Sequence, residues 1–405
     1  MNTTDQIRPV IVIPAHARAG SLLRLLKSID ASHFPDDGVK MIVSVDSTKY
    51  PEVAAAARDY QFSGGEKEVV VHETHLGLRN HIIWCGELTR QYGSVIVLED
   101  DLVVDPWFYQ YAIRSLENYA DCDPIAGIAL YSQRYNDHAE LPFIPLNNGY
   151  STFFMQVGCS LGQVWSKNQW TGFYDWYQKA NQGTLDENRG LPENVKRWPE
   201  SSWKKYFNAY IVDSGKYIVY PYDSYTTNSS DSPGVHIREV NNVFQTVLRY
   251  PDRQEDVLRF APFDGCEVAY DGFMEPCGAI IYRHLGIQPD QVEIDIHGHK
   301  PWELLTKKSF VLTTRVLSAR EIKKFPLSYK PVEMNLLYPV MMEDAVSIRL
   351  YEMNADVGEA SVSPAAYFNM TRYFSDFDSR NLKYARGYIR EFVKNLFSFY
   401  LDHRK

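Results

Sequence analysis

Two hydrophobic rhythms alternate along the first hundred residues. Residues 9–14 (PVIVIP) form an unbroken apolar run closed by a proline, which predicts a strand buried on both faces. In residues 21–29 the positions Leu22, Leu23, Leu25, Leu26 and Ile29 recur at helical spacing, with Ser21 placed to cap the helix. Residues 40–46 (KMIVSVD) read as a second strand ending in an acid, and residues 68–72 (EVVVH) as a third. A helix is predicted over residues 80–92 and a fourth strand over 94–98. Strands alternating with helices over short connections predict an α/β fold of Rossmann-like kind. Its central sheet is mostly parallel, with helices on both faces.

From about residue 241 this rhythm fades. Shorter strands are predicted at residues 293–298, 310–316 and 346–351, separated by helices. The chain therefore divides into a first domain over residues 1–240 and a smaller α+β extension over residues 241–405. The last helix, within residues 380–404, gathers Leu382, Tyr388, Ile389, Phe392, Val393, Leu396 and Leu401 on one face. Arg380, Lys383, Arg386, Arg390 and Lys394 line the adjoining face. Such a helix either lies on an anionic membrane surface or docks on its own domain with its cations in water.

The fourth strand ends unusually. VIVL runs straight into Glu99, Asp100 and Asp101 before an apolar run resumes. In open α/β sheets, ligands bind beyond the carboxyl ends of the strands. Asp46 and the three acids all sit at such ends and so are candidates for one cleft. Neither GxGxxG nor GxxxxGK[ST] occurs, so dinucleotide and P-loop readings lose their usual support. A run of carboxylates suits another strategy, in which a divalent cation bridges the acids and a diphosphate. The plain alternative is a surface turn that precedes the helix beginning near Pro106.

Composition narrows the class. The chain has 405 residues, 45% hydrophobic and 23% charged, as in ordinary globular proteins. A net charge of −9 argues against nucleic acid as a general partner. Aromatics reach 14%, with 28 Tyr and 8 Trp, which suits either sugar-binding surfaces or an aromatic core. No run has the order of a signal peptide or the length of a membrane span. The five cysteines are odd in number and form no CxxC, so they read as reduced thiols, and a cytoplasmic setting is expected.

Taken together, PVIVIPAHAR, IVSVDS, HLGLRNHIIWC and VIVLEDDLVVDPWFY resemble the catalytic domain of GT-A glycosyltransferases. The nearest likeness is to the N-acetylglucosaminyltransferase I type and bacterial capsule and O-antigen transferases. It continues through STFFMQVGCSLGQVWSKNQW and YIVYPYDSYTTNSSDSPGVHI, covering roughly the first 240 residues. The resemblance implies a GT-A fold, a Mn²⁺ or Mg²⁺ cofactor, a UDP-sugar as donor and a glycan or lipid-linked acceptor. It places Arg18 and Asp46 against the nucleotide, and Arg79 or His81 beside the diphosphate. Glu99 and Asp100 lie against ribose and donor sugar, Asp101 is the metal ligand, and Asp175 in FYDW is the general base. His236 is either a second metal ligand or diphosphate contact, or a loop histidine without a role.

The chain also departs from the pattern. CSLGQVW lacks the first tryptophans of the WGWxxW-like segment, and SSWKKYF lacks an acid where some relatives have Trp-Asp. The second departure leaves Glu200 as a rival to Asp175. Transfer of a sugar builds positive charge on the ring and negative charge on the departing diphosphate, and an inverting enzyme needs a carboxylate for the acceptor proton. Two other readings stay open: a nucleotidyltransferase that makes nucleotide sugars, and a carbohydrate-binding protein without catalysis. The HxH of His297 and His299 is read as a turn at Gly298.

Overall fold

The computed structural model describes residues 7–180, 190–229, 243–341, 346–354, 357, 358 and 373. The basic C-terminal helix expected from the sequence lies outside them. No helix among the described residues is long and apolar enough to cross a membrane.

In chain order the first part runs β1 (Val10–Ala15), α1 (Ala19–Asp30), β2 (Val39–Val45), α2 (Pro51–Asp59), β3 (Gly65–Val71), α3 (Gly77–Glu87), α4 (Thr89–Tyr92) and β4 (Ser94–Val97). There follow β5 (Leu102–Val104), α5 (Phe108–Tyr119), β6 (Ile125–Ala129), β7 (Tyr135–Asn136), β8 (Leu141–Pro142), β9 (Thr152–Met155), β10 (Gln163–Ser166) and α6 (Lys167–Ala180). After α7 (Glu193–Lys196) and α8 (Trp203–Asp213) come β11 (Tyr217–Pro221), β12 (Thr226–Asn228), β13 (Ala269–Tyr270) and α9 (Ala279–Leu285). The chain closes through β14 (Val292–Asp295), α10 (Trp302–Leu305), β15 (Phe310–Thr313), β16 (Arg320–Pro326), α11 (Met334–Leu337) and β17 (Ser347–Glu352).

The fold is mixed α/β around a nine-stranded sheet of order β13-β9-β11-β6-β10-β4-β1-β2-β3. β1, β2, β3 and β4 run parallel, while β10 enters antiparallel between β4 and β6. β1 and β4 are buried along their whole length because both faces are covered, whereas β3 (GEKEVVV) is the sheet's edge strand and is exposed along its first residues. Ile11, Ile13, Met41, Val43 and Ile96 pack on α1, α2 and α5, whereas Val10, Val12, Ile42, Val95 and Val97 pack on α3, α6 and α8. The chain leaves β1 toward β2 on one side, and β4 returns on the other. The carboxyl ends of β1 and β4 therefore form the topological switch point, where such sheets open a crevice.

Local boundaries depart from the sequence pattern in three places. α1 begins at Ala19, with Arg18 rather than Ser21 at its N-cap and no side-chain cap; Ser21 is buried inside the first turn. The helix expected over residues 80–92 breaks at Leu88 into α3 and α4. β13 pairs with β9, and Phe260, Ala261 and Phe263 pack on the main core, so the first sheet recruits residues beyond the boundary expected at 240.

The extension forms its own four-stranded sheet, β14-β15-β17-β16. The predicted strands near residues 293, 310 and 346 are β14, β15 and β17, and Gly298 makes the expected turn at φ 72°. The pattern gave no sign of β16, whose REIKKFP is an edge strand exposed along its first residues.

Close packing sets one sharp test. Trp165 and Trp170 are fully buried, and a Cβ built on Gly86 would lie 2.3 Å from the Trp170 ring. Helix propensity alone would favour alanine there by about 1 kcal/mol. Overpacking is instead expected to make Gly86→Ala destabilising by about 1–3 kcal/mol in urea unfolding. A stabilised variant would mean the indole yields without cost.

Candidate functional site

The acids sit where the sheet topology sends them. β4 ends at Val97, and Glu99, Asp100 and Asp101 turn the chain into β5 beside the end of β1. Two contacts fix this turn. β5 pairs antiparallel with β12, and Ser229 donates both its N–H and its hydroxyl to the Asp101 carbonyl at 2.9 Å. One step further along, Asp105 is fully buried and gripped by Arg253 through two bonds of 2.8 and 3.0 Å. Asp105 thus anchors the loop from inside and does not face the cleft.

Arg18, projecting from the end of β1, meets the cluster. Its guanidinium bonds Asp101 Oδ2 at 3.1 Å and Asp100 Oδ1 more closely still. Burial works against the charge on Arg18, yet the two carboxylates raise its pKa above the ordinary value. One arginine does not neutralise three acids. Burial pushes the Glu99 carboxyl up to about 8, with the Asp101 and Asp100 charges adding to the rise. Burial likewise pushes Asp100 up to about 6, against the pull of Arg18. The cluster is a set of oxygen donors short of positive charge, which fits a Mg²⁺- or Mn²⁺-type cation. Asp101, with its side chain 19% exposed, and Glu99 are both partly exposed, while Asp100 is buried.

Asp46 ends β2 at the same edge of the sheet. Oδ1 accepts from the Leu76 N–H at 2.6 Å and Oδ2 from the Gly77 N–H at 3.3 Å, so it holds the start of α3. Gly77 takes φ 72°, a left-handed conformation that glycine allows without strain. Asp46 also lies beside His75 and His16, neither of which the sequence reading singled out. His16 joins the two parts of the edge, its backbone N–H serving Asp100 while its ring faces Asp46.

The structure separates Arg79 from His81. Arg79 reaches across to α8, where it donates to the Tyr206 hydroxyl at 3.0 Å and lies over that ring at 5.1 Å. His81 is buried, with Nε2 2.7 Å from the Ser44 hydroxyl, and burial depresses its pKa to about 4. A neutral imidazole inside the core offers no charge to a diphosphate, whereas Arg79 carries its charge beside α8.

Asp175 is exposed on α6, whose Trp170, Phe173 and Tyr177 turn inward, and it makes no hydrogen bond or ion pair among the described residues. Glu200 is better connected. It accepts from Lys205 Nζ at 2.6 Å and from Tyr206, the residue that Arg79 also holds, and these bonds keep its pKa below the ordinary carboxylate value. Lys204, next in the same segment, lies near enough for its charge to act on Glu99. The segment SSWKKYF, read in the sequence for the acid it lacks, thus carries a cation whose charge reaches Glu99 and a tyrosine that bonds Arg79 and Glu200. His236 lies outside the described residues.

No protein-family model and no curated protein matches the chain. Among solved structures it is similar to S. aureus TarS 1-349, at 14% identity and a TM-score of 0.35, over 55% of this chain and 60% of that one. The same protein with UDP-GlcNAc gives 12% and 0.35, over 56% and 60%. A mannosyltransferase, PcManGT from Pyrobaculum calidifontis, in complex with GDP-Man and Mn²⁺, gives 10% and 0.36, over 57% and 60%. The chain thus spans about three fifths of the length of these neighbours. A likeness this distant assigns neither family nor activity.

The strained acids carry a prediction about pH. Because the folded pKa values of Glu99 and Asp100 are raised, their contribution to stability is full below the unfolded carboxylate range. It is lost as pH rises through about 6 for Asp100 and about 8 for Glu99. In chelator, the melting temperature of the unsubstituted protein should fall between about pH 6 and pH 9 more steeply than that of Glu99→Gln. Parallel curves would show that the cluster places no charge burden on the fold.

Proposed function

We propose that this protein is a metal-dependent glycosyltransferase that moves a sugar from a nucleoside-diphosphate sugar, a UDP-sugar first, to a glycan or lipid-linked acceptor in surface polysaccharide synthesis. The observation that carries the reading is the convergence of Glu99, Asp100 and Asp101 with Arg18 at the β1/β4 switch point, with Asp46 on the next strand end. The sequence resemblance supports the same reading.

In this reading Asp101 would hold the Mn²⁺ or Mg²⁺, which supplies charge compensation for the leaving diphosphate. Arg18 and Arg79 add cationic hydrogen bonding, Glu99 and Asp100 face the ribose and sugar, and Asp46 receives the base. The acceptor oxygen forms its bond to the anomeric carbon as the bond to the diphosphate breaks, and the diphosphate leaves with the electron pair. The acceptor proton passes to a carboxylate on the opposite face, giving inversion. We assign that base to Glu200 rather than Asp175. Both acids are exposed, but Glu200 bonds Lys205 and Tyr206 and is linked through Tyr206 to Arg79, whereas Asp175 makes no hydrogen bond or ion pair among the described residues.

Two experiments test this. Asp101→Asn should stay folded by circular dichroism yet lose the Mn²⁺-dependent thermal shift with UDP, since an amide cannot replace the charge. An undiminished shift would remove Asp101 from the metal. Glu200→Gln should keep donor binding while transfer falls by roughly 10²–10⁴-fold, and Asp175→Asn should stay within a few-fold of the unsubstituted protein. The opposite ranking would return the base to Asp175.

A further inference from the structure

Beside the all-oxygen cluster, a second set of ligating atoms converges at the end of β2. His75 Nδ1 lies 2.7 Å from Asp46 Oδ2, and His16 Nδ1 lies 3.5 Å from the same oxygen. All three ligand atoms fall within 4.8 Å of one another. Hydrogen bonding alone leaves this arrangement incomplete. One imidazole N–H can serve Asp46 at 2.7 Å, but His16 Nδ1 is then buried, aimed at the group and without a hydrogen-bond partner.

We propose that His16, Asp46 and His75 form a binding site for a zinc-class divalent cation, separate from Glu99, Asp100 and Asp101. The donor chemistry selects the ion, since two imidazoles and one carboxylate suit zinc and its neighbours, whereas carboxylates alone suit magnesium and manganese. The geometry is close to what is needed. Ligands about 2.1 Å from a tetrahedral zinc lie about 3.4 Å from one another, so each side chain moves only slightly. His75 keeps its proton by carrying it on Nε2 instead of Nδ1.

The support around the ligands is already built. Leu76 and Gly77 N–H groups fix the Asp46 carboxylate, and the His16 ring lies edge-on to Tyr50 at 5.0 Å. The ion has a way in, because the side chains of His16 and His75 are 43% and 61% exposed while Asp46 forms the floor at 4%. That open side leaves a coordination position for water. Arg18 and Lys49 are the cations nearest His16, and the charge of Arg18 is taken up by Asp100 and Asp101. The site stands whether or not the protein transfers sugar. Only one consequence rests on the donor reading: zinc and nucleotide would exclude each other at Asp46.

The test uses the full chain, stripped with chelator and titrated with zinc alone by calorimetry, then with cobalt(II) for its visible absorption. The expected result is one bound ion with the cobalt spectrum of a tetrahedral site. His16→Ala and His75→Ala should each weaken binding by at least roughly 100-fold and lose that spectrum. Both side chains are partly exposed, so these variants should melt as the unsubstituted protein does without metal. Asp101→Asn should bind zinc unchanged. Zinc affinity that survives both histidine substitutions, or that falls only in Asp101→Asn, overturns the proposal by placing the ion on the acids.

Discussion

The contact of Arg18 with Asp100 and Asp101 is the interaction on which the functional end of the sheet depends. Three consecutive acids at a strand end repel one another, and burial penalises the charges of Glu99 and Asp100. Arg18 offsets part of this, and it does so because β1 and β4 are hydrogen-bonded neighbours whose connections leave in opposite directions. Burial first, and the neighbouring acids after it, keep the pKa values of Glu99 and Asp100 raised in spite of Arg18. Lys204 is a further cation whose charge reaches Glu99.

The rest of the structure keeps that edge rigid. β5 and β12 clamp the acid turn from the far side, and the Arg253–Asp105 pair ties the segment around residue 250 to its base. The second sheet is fastened to the first by buried charges. Glu275 accepts the N–H groups of Ile296 and His297, while Lys300 bonds both Asp271 and Glu293. Burial by itself would raise the Glu275 pKa, but His297 and Lys300 hold it below the ordinary value. Buried pairs of this kind are costly to break because the surviving partner is left charged and unpaired, so they fix the attachment.

Aromatic packing organises the face of the sheet beside α6 and α8. Trp165, Trp170, Trp203, Phe173 and Phe207 form one buried cluster between β10, α6 and α8. It holds α8 in place and so positions Tyr206 and Lys204. Much of the aromatic content of the chain is core, Tyr206 included.

The sequence by itself determined the local elements and the chemistry at their ends. Runs such as VIVIP and VIVL read as strands buried on both faces, and the acids that close β2 and β4 were expected at the carboxyl ends of a parallel sheet. Gly298 likewise announced its turn. The tertiary structure decided what depends on atoms distant in the chain. His81 and Arg79 are two residues apart in one helical pattern, yet one enters the core against Ser44 and the other reaches Tyr206. Asp175 and Glu200 are both exposed acids, but only Glu200 meets a network, because it lies just before α8, whose Lys205 and Tyr206 reach it. The meeting of His16, Asp46 and His75 was hidden for the same reason: their separation in sequence is large, and only the pairing of β1 with β2 and the docking of α3 bring them within reach. Periodicity encodes which face of an element is apolar; it carries no term for which faces of separate elements will meet.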